Sequence, residues 1–281
     1  MESKRRSSWI LAVLYLFALA LVATLWAPSE PIDPWGLVNL QKLLWMFFAL
    51  SFIQFLGAIL NFLFGLNAGM MLTGFLAGLV SSTALTVSLS QESRHKKHEP
   101  ETVAVAALIA GKIGVLVEAI FLIIAADGGA FREVASILIA PTLLCGALLL
   151  MLAKRQKTVI STKLPVSPIQ YRSVLRLTLF IAGILGLTRI AFNLFGESGV
   201  LVASFIVSLF EVHGALITAA QMFDLQTILE PTFKLMVALA LSAAAISKIF
   251  IMFFIGQKTF ALKGSVAMFL FIASVWVGFL F

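Results

Sequence analysis

Two short polar clusters interrupt otherwise apolar stretches of this chain, and they hold the residue types that could do chemistry. Ser208-Leu209-Phe210-Glu211-Val212-His213-Gly214 sets a carboxylate and an imidazole two residues apart. A carboxylate inside an apolar span can bind a cation or a proton, and an imidazole titrates near neutral pH, which suits proton coupling. Gly78-Leu79-Val80-Ser81-Ser82-Thr83-Ala84-Leu85-Thr86-Val87-Ser88-Leu89-Ser90-Gln91 offers six hydroxyls where Leu and Val would serve as well. Their oxygens can coordinate an ion or satisfy backbone groups freed by a break in a helix. On a continuous helix Ser82, Thr83, Thr86 and Ser90 share one face, and Gly74, Gly78, Ser81 and Ser88 another. The second face also suits close helix packing of the small-xxx-small kind, as do Gly65 and Gly69. Glu211 and His213 diverge by about 200° on an unbroken helix, so they have different partners unless the helix opens at Gly214.

The clusters are copies of each other. Leu63-Phe64-Gly65, Gly69, Phe75, Leu79 and Gln91 recur as Leu194-Phe195-Gly196, Gly199, Phe205, Leu209 and Gln221, at an offset of about 130 after one single-residue gap. Ser81 then aligns with Glu211, Thr83 with His213 and Ser88 with Thr218. A lysine follows each copy, Lys112 and Lys248, in comparable spans. Either could balance the charge of Glu211; Lys248, nearer its span end, could instead snorkel to the headgroups. Glu118, Arg189, Asn193, Gln54 and Asn61 suit helix-to-helix hydrogen bonds better than substrate binding. No His-Glu-x-x-His, paired cysteine, Gly-rich phosphate loop or aspartate cluster occurs, so no cofactor is expected and no metal ligand set is identified. Ser, Glu and His lack a nucleophile-base spacing, which leaves an enzyme unsupported.

The elements that carry these clusters must lie in a membrane. Of 281 residues 61% are hydrophobic and 12% charged, and mean hydropathy is +1.06. Soluble domains are about 25% charged. Apolar runs long enough to cross the bilayer fall at about 9–26, 38–64, 68–90, 102–125, 134–153, 174–195, 198–221, 233–256 and 261–281. The expected fold is all-α, with nine transmembrane helices. Residues 1–37 form an extra amino-terminal helix and loop, and 38–160 and 161–281 are two four-helix repeats. An even number of crossings per half makes the repeats parallel. The formal charge of +7 is read as headgroup anchoring, not nucleic-acid binding. The single cysteine, Cys145, excludes an internal disulfide.

The charge signals conflict on orientation. Arg94-His95-Lys96-Lys97-His98 and Lys154-Arg155-Gln156-Lys157, with Lys163, Arg172 and Arg176, share one side in this count, which the positive-inside rule makes cytoplasmic. The amino terminus would then lie outside, yet Lys4-Arg5-Arg6 argues for inside, and Glu30 and Asp33 suit an exterior first loop. One signal misleads or one span does not cross. The two basic loops hold more charge and set the expectation.

The Ser81-Ser82-Thr83-Ala84 run and the Gly196, Gly199, Ser208-Leu209-Phe210-Glu211-Val212-His213 pattern resemble the bacterial membrane domain of unknown function (DUF4010-like) that often follows an MgtC-type domain in the MgtC/SapB family. The likeness covers about 38–281. It implies a multi-pass protein of the bacterial inner membrane and suggests transport without naming a substrate. Glu211 stands where that domain commonly carries Asp, and the MgtC-type domain is absent, so MgtC roles do not transfer. The leading expectation is a secondary transporter or ion-conducting protein for a small ion or polar solute, with its site between the 68–90 and 198–221 helices. Glu211, His213, Ser81, Ser82, Thr83, Thr86, Lys112 and Lys248 would form that site. The alternative is a regulatory or scaffolding membrane protein that binds a partner membrane protein. Gly and Ser helix faces would also allow a homo-oligomer.

Overall fold

The computed structural model describes residues 2–28, 30, scattered positions between 40 and 59, 70–95, 101–126, 129–153 and 171–281. The described elements are all helices: α1 (Glu2–Leu25), α2 (Met70–His95), α3 (Glu101–Ala126), α4 (Ala130–Ala153), α5 (Tyr171–Ser208), α6 (Val212–Asp224), α7 (Glu230–Ile255) and α8 (Lys258–Phe279). Five segments among them are long and apolar enough to cross a membrane: Glu101–Ala125, Ala130–Leu152, Ile190–Ser208, Glu230–Ile255 and Lys258–Phe279. Large apolar side chains point outward, such as Phe250, Phe253 and Phe254 on α7 and Leu262, Val266 and Phe269 on α8. Such a surface suits lipid tails.

Polar contacts at the helix ends fix the direction of each element. At one end of the bundle, here the near end, Arg94 donates to the carbonyls of Phe254 (3.1 Å) and Gly256 (3.3 Å), and the Gln257 N–H donates to Ser93. Glu101 there accepts from Thr259 and from Lys263 at 2.6 Å. The near end therefore gathers the close of α2, the start of α3, the close of α7 and the start of α8. At the far end, Thr232 donates to Glu197 at 2.5 Å, Phe223 stacks on Phe233 at 4.7 Å, and Gly278 lies against Ser136. Hence α3 and α8 run from near to far, whereas α4 and α7 run from far to near.

These directions do not confirm the parallel repeat. The span expected to match α3 is α7, and the one expected to match α4 is α8, yet each pair runs in opposite directions.

Two expected spans are hairpins. In α2, Gly74 and Gly78 lie against the backbone of Ala107 and Gly111, and the Phe75 carbonyl and Leu79 N–H lie against Gly114, so residues 70–80 run inward alongside α3. Ser81 is extended (φ −169°, ψ 104°). Beyond it Leu85 reaches back to Gly111, and Arg94 is again at the near end. The 68–90 stretch thus enters and leaves on the same side. Gly74 and Gly78 allow it: a Cβ at Gly78 would stand 2.8 Å from the Gly111 carbonyl carbon. The glycine face is consumed within the chain, which removes Gly74 and Gly78 from the expected oligomer surface.

The 198–221 stretch is likewise not one helix. α5 turns sharply at Gly196 (φ 63°, ψ −148°), a conformation strained for any residue with a Cβ, and Gly199 then lies against the Ala191 carbonyl. Residues 197–208 run inward from the far end, 209–211 form a turn, and α6 returns outward to Phe223 and Asp224. The two hairpins enter the bundle from opposite ends. The expected 38–64 span, including Gln54 and Asn61, falls largely outside the described residues, as do Gly65, Gly69 and the 154–170 junction between the expected halves.

Candidate functional site

Each hairpin tip is capped by its own extended residue. Ser81 Oγ accepts the Ala84 N–H at 3.2 Å, so residues 82–95 begin as a separate helix with Ser81 as its N-cap. Glu211 (φ −146°, ψ 102°) caps α6 in the same way, accepting the His213 N–H on Oε1 at 3.0 Å. The aligned positions Ser81 and Glu211 therefore do the same work. The second helix opens at 209–211, before Gly214, which sits inside α6 and accepts from Thr218 at 2.8 Å. The turn is held by the N–H groups of Phe210 and Glu211, both donating to the Val207 carbonyl at 2.9 Å.

Because Glu211 is extended, the helical divergence from His213 does not apply. Its Oε1 stands 2.9 Å from His213 Nδ1. His213 Nε2 faces α3, 3.1 Å from Glu118 Oε2, close enough for an ion pair although the N–H is not aligned for a hydrogen bond. An imidazolium donates on both sides of such an arrangement, whereas a neutral ring sets a lone pair against one carboxylate. The three side chains can therefore hold one proton between two negative charges. Glu118, His213 and both lysines are buried, and the Glu211 side chain keeps 24% exposure. A charge placed freely at the bilayer centre costs about 2.5–3.5 kcal/mol on insertion scales, so five such groups are costly without partners or a task.

Lys112 and Lys248 are enclosed by protein. Each is 3% exposed, and the Lys112 ammonium stands 5.0 Å from the centroid of the Phe271 ring. Among the described residues neither ammonium meets a carboxylate at ion-pair distance, so Glu211 is matched by His213 instead.

The structure brings Glu211 and His213 into contact, and among the described residues no ion pair joins Lys112 or Lys248 to them. It adds Glu118, which the sequence marks only as a mid-span acid suited to a helix-to-helix bond. The hydroxyl face of α2 is divided. Thr86 is buried and donates to the Ser82 carbonyl at 2.8 Å, leaving its lone pairs free, while Ser82 and Thr83 are half-buried just past the tip. Ser88 is exposed and takes no part. The two hairpins meet chiefly through α3: Leu76 and Leu79 of α2, Leu122 of α3 and Ile217 of α6 join one apolar cluster with Ala12 and Leu16 of α1. Among the described residues no three His, Cys, Asp or Glu side chains converge as metal ligands.

A family described as a domain of unknown function (DUF4010) matches residues 49–256. The chain belongs to this family. The matched region contains both hairpin tips, α3 and all of α7, hence Ser81, Lys112, Glu118, Glu211, His213 and Lys248. No curated protein and no solved structure matches the chain.

Proposed function

We propose that this DUF4010 protein is a secondary transporter built from two inverted halves, with its site where the hairpin tips meet α3 and α7. One observation carries the reading. Two helical hairpins enter from opposite ends and break at the aligned residues Ser81 and Glu211, the second beside the buried His213 and Glu118. Non-helical backbone at membrane depth is tolerated where it is buried in protein or lines a water-filled cavity, and broken helices at the junction of inverted repeats are how many transporters bind solutes. The packing has the same twofold character: α3 packs on α6 as α7 packs on α2, α3 packs on α8 as α7 packs on α4, and α4 meets α8.

The inverted reading also bears on the charges. Because α2 returns to the near end, the basic segments after α2 and after α4 both leave from that end. The near end is then cytoplasmic under the positive-inside rule. We read the membrane as a bacterial inner one, an expectation that rests on the resemblance of the two polar motifs to MgtC/SapB-associated domains. Glu118, His213 and Glu211 act as the proton or cation element, and Ser81, Ser82, Thr83 and Thr86 line the tip of the first hairpin.

Reconstitution in liposomes tests the proposal, with pH-sensitive and potential-sensitive dyes reporting flux for wild type and Glu211→Gln. Flux in wild type that falls at least tenfold in the variant supports it. An absence of flux across protons, alkali cations and small anions, from protein shown to be folded, overturns it.

A further inference from the structure

The second hairpin is held at its base and at its tip by contacts of different kinds. At the base, Glu197 accepts from Thr232 of α7 at 2.5 Å and Phe223 stacks on Phe233 at 4.7 Å. The chain enters the hairpin at Gly196 (φ 63°) and leaves it past Gln226 (φ 52°), two left-handed turns, and no atom lies within 4 Å of where a Gly196 Cβ would stand. At the tip, Glu211 and His213 form one unit, because Glu211 Oε1 accepts the His213 backbone N–H at 3.0 Å and faces its ring Nδ1 at 2.9 Å. A single polar contact then crosses to α3 among the described residues: His213 Nε2 stands 3.1 Å from Glu118 Oε2, buried and out of line for a hydrogen bond. A segment anchored at its base, bounded by two turns and tethered at its tip by one charge pair is built as a hinged element. α6 is buried from Val212 to Met222, so the movement open to it is a shear of the tip along α3, not a withdrawal from the bundle.

We infer that Glu118 is the proton-binding residue of this site, and that its protonation unlatches the tip of the second hairpin from α3. Its role in transport rests on the transporter reading, which it deepens by naming the proton as the coupling ion; the latch itself does not depend on transport. With both carboxylates ionised and an imidazolium between them, the group carries one net negative charge and His213 is attracted from both sides. A proton taken from water onto Glu118 removes the attraction across the interface. The Glu211–His213 unit keeps its own two contacts, so the tip is released as a whole. The latch is therefore closed at neutral pH and opens as pH falls through the range in which Glu118 protonates. An alkali cation fits less well, since the imidazole already fills the position between the carboxylates. The other buried ionisable groups on the elements packed against α3 and α6 are Lys112, Lys248 and Cys145; Arg94 and Lys263 stand at the near end, and Glu197 and Lys234 belong to the far end. Among the described residues none of them stands at ion-pair distance from Glu118 or His213.

The test is a spin-label distance measurement on the full chain in lipid nanodiscs, with labels at Ile206→Cys on the second hairpin and Ile124→Cys on α3 in a Cys145→Ala background. Both positions face outward, at 52% and 47% exposure. As pH falls from about 7.5 to about 4.5, towards the ordinary carboxylate range, a second distance should grow at least threefold in population. Glu118→Gln should show that distance already at the higher pH and respond no further. Infrared difference spectra over the same range should show a protonated-carboxyl band that Glu118→Gln abolishes and Glu211→Gln retains. A distance independent of pH in folded protein with Glu118 intact overturns the inference whatever the variants do. A pH response that survives Glu118→Gln, or a carboxyl band lost in Glu211→Gln instead, overturns the assignment to Glu118. Sodium or potassium flux in liposomes without any pH response of the distance overturns the inference and leaves the transporter. A pH-dependent latch without flux of any ion keeps the inference and removes transport.

Discussion

Replacing Gly78 by alanine tests whether the first hairpin is held against α3 by backbone contact. An added Cβ would lie 2.8 Å from the Gly111 carbonyl carbon and closer still to its oxygen and Cα, against ordinary contacts of 3.4–4 Å. All three neighbours are backbone, so no side-chain rotation relieves the overlap, and the 70–80 arm must move away from α3 by roughly 1 Å. Overpacking of this kind costs about 1–3 kcal/mol. Alanine recovers up to about 1 kcal/mol of helix propensity relative to glycine, less where the segment stays helical in the unfolded micellar state. The net expectation is a loss of about 1–2 kcal/mol, a factor of roughly 5–30 in the folded ratio. Gly183→Ala is the control, because nothing lies within 4 Å of its Cβ position; it should be neutral or slightly stabilising. Unfolding in mixed micelles with increasing sodium dodecyl sulfate fraction, followed by tryptophan emission, compares the two. Equal stability of Gly78→Ala and wild type, or an equal loss in Gly183→Ala, would refute the packing derived above. Gly74→Ala should behave like Gly78→Ala, and the double variant should fall short of the sum, because one displacement of the arm relieves both overlaps.

Further outcomes follow from the same geometry. Gly196→Ala meets no atom within 4 Å, so its expected loss of about 1–3 kcal/mol comes from the positive φ alone, and Gly186→Ala in the same helix, equally free of neighbours, should show no such loss in the same unfolding assay. Glu118→Gln should reduce flux as strongly as Glu211→Gln, and the double variant should be little worse than the poorer single, because both carboxylates act through His213. Cys145 is free and buried, so Cys145→Ala gives a cysteine-free background with little change in fold. In that background an impermeant maleimide should label Ser7→Cys and Lys157→Cys from one side of the membrane and Gln226→Cys from the other, whereas labelling of Ser7→Cys from the side of Gln226→Cys rejects the inverted arrangement.

The polar residues of the site were readable, but their grouping was not. Glu211, His213, Lys112 and Lys248 stand out because ionisable groups are rare in apolar runs, and the glycine spacing of Gly74 and Gly78 announces close packing. Glu118 was visible only as one more mid-span acid. Its role depends on α3 passing alongside the tip of the second hairpin, a contact between residues 95 positions apart that no local pattern encodes. The helical-wheel separation of Glu211 and His213 failed for a related reason. It assumes an unbroken helix, and the N-cap role of Glu211 is itself what breaks it.

The direction of the hairpins was not legible in the sequence for a physical reason. Hydropathy counts apolar residues and cannot tell a crossing from a hairpin: α2 and α3 each contain 26 residues, yet only α3 traverses the bundle. Counting α2 as a crossing gives an even number per half and parallel copies; removing it gives an odd number and inverted ones. Two traces of the hairpin were nevertheless present in the sequence. Six hydroxyls in one span exceed what packing alone calls for, and they supply what a helix broken at membrane depth needs, a side-chain oxygen at the break, here Ser81. The conflict between Lys4-Arg5-Arg6 and the two basic loops was the second. It disappears when a single span before residue 94 fails to cross, and α2 is the described element that turns back.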